Sequence, residues 1–541
     1  MPEPRKAVWW RYLIGSILIV LLSAGAISTA ALLEVKRVST ALSQSPRIQA
    51  AKFLTPDQAG APQTIMVIGS DRRYAGTDAS TSGRTDTIML IRMDPNKGQT
   101  SILSIPRDLL VNFTINGATY TNQKVNAAYT YGGPDGALQV VKAALDGIQI
   151  NHVVDVNFKS FYAVIKAIGC VYVDVDHTYF NRNVGTAATD YANIDLKPGY
   201  QKLCGYPALD YVRYRHTDSD FVRVARQQDF IRAVKEQVGV SGLLDNFGNI
   251  TQAIGKSIET DFRGTTDTLR LLKLAAFSLT KPIRQVKFQA DPLDIINGED
   301  FVSATPDQIT ATVSDFLHGN QHVQVKTAFH AESALRKSRS FASIGLYPAA
   351  PTDRQAATVM AQHAHVPVEF PTLKTSNGFL TDEHTYAIRD AHGKLRRGYR
   401  IDWRTDAVGS YYGIEGMKWT DPPLFRNAST QTIGGITYLF VNDGSHIHDV
   451  GWRAHGMLYW ISNTELEGLT NPQMLSLARS ASLLHVHDAS LHDASGSQAD
   501  GATAVHQGAG TPGTPGADGV TTPAPAPDTT PSSTGPPTPA D

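Results

Sequence analysis

The sequence predicts an α/β fold with a mixed central sheet flanked by helices. It also predicts a smaller β-rich or α+β C-terminal module, an N-terminal transmembrane helix and a disordered tail. Three observations lead there. Short apolar runs alternate with helical stretches between residues 64 and 317, the pattern of layered α/β domains. Residues 344–485 are rich in aromatics, glycine and short alternating runs, which suits strands. The two ends of the chain differ in composition from everything between them.

The chain has 541 residues, with 49 Lys plus Arg against 50 Asp plus Glu. The near-neutral balance excludes a uniformly basic nucleic-acid binder, and a hydrophobic fraction of 42% is too low for a polytopic membrane protein. Residues 1–12 read as a cytoplasmic N-terminus carrying Arg5, Lys6 and Arg11. Residues 13–33 hold no charge, and about 20 apolar residues span a bilayer as a helix. Basic flanking residues favour an N-inside orientation. The expectation is a single-pass protein of the cell membrane, with its bulk extracytoplasmic in the cell envelope. The alternative is a cleaved signal peptide, whose apolar region is shorter.

Residues 34–60 read as a polar stalk. Residues 64–68 form a buried strand stopped by Gly69-Ser70-Asp71. Strands follow at 86–92 and 101–105, the second ended by Pro106. Residues 136–145 and 158–168 read as helices, 171–175 as a strand, 211–215 as an alternating strand and 220–238 as an amphipathic helix. A strand at 285–289 and further helix complete a domain over residues 61–318. Residues 319–343 are a connection, and 344–485 the accessory module. Residues 486–541 are a Pro/Thr/Gly-rich tail, with nine of the 29 prolines in 511–541. Such a composition cannot bury enough surface to fold. Cys170 and Cys204 are the two cysteines. Outside the cytoplasm they can form a disulfide; two free buried thiols are the other reading.

Charged residues gather at predicted strand ends, where α/β folds converge ligand groups. The sets are Gly69-Ser70-Asp71-Arg72-Arg73, Arg84-Thr85-Asp86-Thr87, Ile105-Pro106-Arg107-Asp108, Tyr211-Val212-Arg213-Tyr214-Arg215-His216 and Arg223-x-x-Arg226-Gln227-Gln228. On a strand, Arg213 and Arg215 would share a face. On a helix, Arg223, Arg226 and Gln227 would share a side. So many guanidiniums call for an anion among them, and arginine suits bidentate phosphate contacts. Asp71 and Asp86 add hard oxygen donors of the kind magnesium takes alongside phosphate. Taken singly, a Ser-Asp pair is more often a turn or helix cap, and an Arg-x-Arg a solvated strand face.

Together these sets, with Lys124-Val125-Asn126-Ala127-Ala128-Tyr129 and Gly132-Gly133-Pro134, resemble the LytR-CpsA-Psr family of cell-envelope phosphotransferases over roughly residues 64–235. The resemblance implies transfer of a glycopolymer from a polyprenyl-pyrophosphate carrier to peptidoglycan, forming a phosphodiester and releasing polyprenyl phosphate. It implies Mg²⁺ held by Asp71 and Asp86. It implies pyrophosphate held by Arg84, Arg107, Arg213, Arg215, Arg223 and Gln227, with Arg107, Arg213 and Arg215 catalytic. The implied partners are the lipid-linked glycan, peptidoglycan and the membrane, with no nucleic acid. Asp108, Asp218 and Asp220 are candidate general bases. Cys170 stands where the family often has Gly, and Val222 where Gly is common. The C-terminal module resembles an extension of actinobacterial type at residues 411–416 and 443–446, which leans the polymer toward arabinogalactan. A hydrolase using the same site and a non-enzymatic wall scaffold or regulator are the competing readings.

Overall fold

The structure is a computed structural model. It describes residues 48–484 except 49–51, 59, 72–82, 84, 183–192, 215–218, 246–257, 263–269, 271–276, 279–280, 282, 297, 320–340 and 406–409, together with residues 33, 36, 39 and 40. In the first region the principal elements are β1 (Gln63–Ser70), β2 (Thr85–Asp94), β3 (Gln99–Ile105), α1 (Ala127–Ala144), β4 (His152–Asn157), α2 (Phe158–Ala167), β5 (Val171–Val175), β6 (Gly199–Leu203), α3 (Tyr206–Arg213), α4 (Asp220–Asp245), β7 (Ile258–Thr260), β8 (Ile283–Val286) and α5 (Pro306–His318).

Six strands form a mixed sheet in the order β7-β4-β1-β2-β3-β8. The strand β1 runs parallel to β4 and antiparallel to β2, and β3 runs antiparallel to β2 and parallel to β8. Alternation sorts the side chains onto two faces. Met66, Ile68, Ile88, Leu90, Leu103 and Ile105 face α1 and α5 in one core. Val67, Met89, Ile91 and Ile102 face the other way, against Ile231 of α4. With both faces covered, the central strands read as near-continuous apolar runs. The helices start on local signals. Asn157 Oδ1 accepts from Ser160 N at 2.8 Å, and Thr305 with Gln308 forms a capping box before Pro306.

Several expectations need correction. Among the described residues no helix is long and apolar enough to cross a membrane, so the transmembrane helix in the expected fold class and the single-pass localisation drawn from it are not upheld. Residues 13–33 themselves, apart from Leu33, lie outside the described residues, as does the tail from 485 onward. Residues 211–214 are not a strand, and Arg215 lies outside the described residues. Tyr206–Arg213 is a helix with proline in its first turn, because Tyr211 and Val212 pack inward from a helix beside Phe230. The helix expected at 136–145 begins earlier, at Ala127, and continues past a non-helical Gly133 at φ 60°. Part of the stalk packs down: Ile48 is buried, and Lys142 Nζ donates to Phe53 O at 2.6 Å.

Cys170 and Cys204 are joined, with their Cα atoms 4.5 Å apart. The bond ties the start of β5 to the end of β6, two strands that pair antiparallel.

The main sheet of the C-terminal region has seven strands, one more than that of the first region. Its elements are α6 (Pro351–Ala364), β9 (Phe379–Arg389), β10 (Leu395–Arg404), β11 (Tyr411–Met417), β12 (Ser429–Ile433), β13 (Ile436–Asp443), β14 (His446–Ala454), β15 (Met457–Ser462) and α7 (Asn471–Ser480). Seven strands form an antiparallel sheet in the order β9-β10-β11-β15-β14-β13-β12. One face packs on α6 and α7 through Trp403, Tyr459, Met474 and Leu475. The other packs on β5 and β6: Tyr172 and Tyr200 join Trp419, Phe425, Leu458 and Trp460 in a shared core. The two sheets therefore belong to one compact body.

At that junction Arg400 of β10 is fully buried among carboxylates. It pairs with Asp174 of β5. It lies 2.7 Å from Asp402 and 2.9 Å from Glu415. Trp460 Nε1 donates to Asp174 at 3.0 Å, and the Tyr200 backbone N–H donates to Glu415 at 2.7 Å. Burial pushes the Asp402 and Glu415 carboxyls well above their ordinary range, against the pull of Arg400.

Candidate functional site

The strand directions bring one end of the first sheet together. β1, β3, β4 and β8 finish there and β2 begins there. Asp71 follows the last residue of β1 and is exposed. Asp86 lies opposite a register shift: Gly69 pairs with Thr87 and Ser70 with Thr85, leaving Asp86 as the extra residue of a bulge. A bulge re-aims a side chain, and here it turns Asp86 toward the loop after β3.

That loop carries Arg107. Its Nη1 donates to Asp86 Oδ1 at 2.8 Å. Its Nε lies 3.4 Å from Asp108 and 3.8 Å from Asp220, and its backbone N–H donates to Asp220 Oδ2 at 3.3 Å. Burial by itself would lower the Arg107 guanidinium. The carboxylates Asp108, Asp220 and Asp86 outweigh it and raise the group, so it stays charged. The Arg107 side chain keeps 16% of its surface exposed and that of Asp86 36%, so the cluster faces solvent. Lys124 Nζ stands 3.5 Å from Asp108 on the far side.

Asp220, the first residue of α4, bridges to a second guanidinium. It pairs with Arg223 one turn later. Burial raises the Asp220 carboxyl, while Arg223 and Arg107 pull it down. Gln227 lies one turn beyond and donates to Val212 O at 3.0 Å. Gln228 Nε2 donates to Ser104 Oγ at 3.0 Å and so fastens α4 to β3. Arg226 is buried; it donates to Tyr214 O at 2.9 Å and lies 4.4 Å from the Tyr179 ring. It ties the end of α3 to α4.

The expected residues thus divide. Arg107, Asp86 and Arg223 come together through carboxylate contacts, with Asp71 at the same sheet end and Gln227 further along α4. Arg213 ends α3, its guanidinium 5.0 Å from the Phe158 ring. With a helix in place of the strand, the shared face argued for Arg213 and Arg215 falls away. Arg84, Arg215 and Asp218 lie outside the described residues. Among the described residues no group of three or more His, Cys, Asp or Glu side chains is arranged to hold a metal ion. Two carboxylates at one sheet end leave most of a magnesium shell to other oxygens, as that ion accepts. The donor type fits.

Sequence reasoning named Asp220 only as a possible base, and its bridging position between two guanidiniums was missed. The i, i+3 spacing of Asp220 and Arg223 was the available signal. A supporting layer was missed as well. Ser70 Oγ donates to Asp155 at 2.7 Å and Tyr129 OH donates to the other oxygen of the same carboxylate. This buried relay locks the end of β1, immediately before Asp71, to β4 and α1.

A family model described as the LytR_cpsA_psr family matches residues 24–315. A probable cell wall biosynthesis protein, LcpB of Corynebacterium glutamicum, is 33% identical, covering 35% of this chain and 46% of that protein. The polyisoprenyl-teichoic acid–peptidoglycan teichoic acid transferase TagU of Halalkalibacterium halodurans is 30% identical, covering 37% and 62%. The chain spans about half the length of the curated relatives it matches. The crystal structure of TagV of B. subtilis aligns at 25% identity with a TM-score of 0.40, covering 49% of this chain and 100% of that one.

Proposed function

The chain belongs to the LytR_cpsA_psr family, and from that premise we propose that it transfers a glycopolymer from a polyprenyl-pyrophosphate carrier to peptidoglycan. The observation that carries this reading is Arg107, charged and partly open to solvent, held at 2.8 Å by Asp86 and flanked by Asp108 and Asp220. A pyrophosphate entering there meets a guanidinium already oriented, which is the main demand of phosphoryl transfer. The name of the TagU relative supports the reaction class.

An acceptor hydroxyl attacks the phosphorus next to the glycan. The new P–O bond makes the phosphodiester, the bridging P–O bond breaks, and polyprenyl phosphate leaves with the electron pair. Arg107 stabilises the charge on the leaving phosphate, with Arg223 buried behind it on Asp220. Arg84, Arg213 and Arg215 join them in this proposal on family likeness alone. The acceptor proton passes to Asp108 or Asp220. Asp71 and Asp86 would hold Mg²⁺, which supplies neutralisation of the pyrophosphate charge. The partners are the lipid-linked donor, at a membrane surface, and peptidoglycan.

The finer choice of polymer, arabinogalactan, rests on the motifs of the C-terminal region alone; the name of the TagU relatives favours teichoic acid. The test is transfer of labelled lipid-linked donors of both kinds onto peptidoglycan, with Mg²⁺ and with a chelator. Label should reach the wall polymer with one donor and stop when the chelator is added. Release of label into water alone would replace transfer by hydrolysis, and equal rates with chelator would remove the metal.

A further inference from the structure

Of the 26 residues from Leu109 to Pro134 one, Lys124, is charged, in a chain where 18% of residues are. That charge is committed to Asp108. The stretch forms a hairpin, Leu110–Ile115 against Ala118–Lys124, laid on the start of α1. The inner positions Phe113 and Ile115 are buried. Gly136 permits the approach of helix and hairpin: a Cβ there would stand 2.7 Å from Ala128 O and 3.0 Å from Ile115 Cδ1. The close fit lays Tyr131 on Tyr120, with ring centroids 4.1 Å apart and planes 26° apart, and Phe113 lies 5.4 Å behind Tyr120. Tyr131 remains 42% exposed. Around the hairpin Asn112, Thr114, Thr119, Thr121 and Asn122 are exposed, offering hydroxyls and amides without charge.

This neutral patch is continuous with the charged site. Asn126 N–H donates to Arg107 O at 3.2 Å, Val125 N–H to Leu109 O at 2.8 Å, and Thr130 Oγ1 to Gly83 O at 3.3 Å. A polymer bearing phosphates would call for cations along such a surface. A pyranose strand calls for the opposite: a tyrosine face for its C–H side and neutral hydrogen-bonding groups for its hydroxyls. The proposed transfer already gives the anionic reactant a place, at Arg107. We propose that the hairpin of residues 110–124, together with Tyr131, is a carbohydrate subsite that holds the uncharged pyranose strand of the acceptor beside the arginine site. The proposal rests on the transferase reading for the acceptor's identity, but binding can be measured without turnover.

Chitohexaose, an uncharged β-linked pyranose strand, is titrated into the full chain by calorimetry. Wild type should bind it saturably. Tyr131→Ala should weaken binding about tenfold or more, as expected for loss of a stacked ring. Tyr131→Phe and Arg107→Ala should bind as wild type does. If Tyr131→Ala lowers the melting temperature, Thr121→Glu, which puts a charge on an exposed position, carries the same test. No binding by wild type, or equal binding by Tyr131→Ala and Thr121→Glu, overturns the subsite. Teichoic acid binding that is lost in Tyr131→Ala makes the occupant the donor and overturns the acceptor assignment. Chitohexaose binding with no transfer of any donor leaves the subsite standing and removes the transferase reading instead.

Discussion

Two arginines in this chain each sit among three carboxylates, and they do different work. Arg107 has Asp86, Asp108 and Asp220 at the open end of the first sheet. Arg400 has Asp174, Asp402 and Glu415 at the junction of the two sheets, with no exposed side-chain surface. The first cluster can exchange one of its partners for an anion arriving from solvent. The second is closed by Trp460, Tyr200, Tyr386 and Ser462. Composition alone does not separate a binding site from a structural clasp. Exposure and the presence of a displaceable neighbour do.

Substitution should separate them more sharply. Arg400→Ala leaves three buried acidic groups without their cation, and breaking such a cluster costs about 3–5 kcal/mol. A large loss of denaturation free energy is expected; a melting temperature within a degree or two of wild type would mean the clasp is not structural. Arg107→Ala should lower transfer by about 10²–10³ with little change in melting temperature. Retained turnover would place the charge stabilisation elsewhere. Glu415→Gln keeps the shape and the bond from the Tyr200 N–H, so a smaller loss than Arg400→Ala is expected in the same denaturation series.

The smallest effect concerns pH. Burial pushes the Asp443 carboxyl up to about 7, with Glu467 adding to the rise and Arg232 opposing it. A carboxyl raised on folding favours the folded state when protonated. Its contribution is fully present below the ordinary aspartate range and is lost as pH rises through about 7. Asp443→Asn should flatten that part of the stability–pH curve, measured by melting temperature from pH 4 to pH 8. An unchanged slope would assign the effect to Asp449, which burial pushes up to about 6.

Legibility in the sequence followed locality. β1, β2, β3, α2 and β5 were readable because each is a short apolar run with a stop signal beside it, and Arg107 was readable because it follows Pro106 at a strand end. The disulfide was inferred from the expected compartment. The segment from Tyr211 misled, since Tyr-Val-Arg-Tyr-Arg alternates like a strand, whereas Tyr211–Arg213 are the end of a helix that packs Tyr211 and Val212 inward. The Arg400 clasp was invisible for a different reason. Asp174 lies 226 residues from Arg400, and no periodicity reports a contact across that span. Asp86 was named for its charge, whereas the bulge that aims it is a property of pairing between two strands.

The sharing of Arg400 and Asp174 between the two sheets has a practical consequence for anyone dividing the gene. The boundary near residue 319 reads as a natural place to cut, yet a product ending there would carry Tyr172 and Tyr200 bare and Asp174 without its guanidinium and indole. The loss of the extension would reach the first region as raw surface, so the two have to be inherited, expressed and altered together.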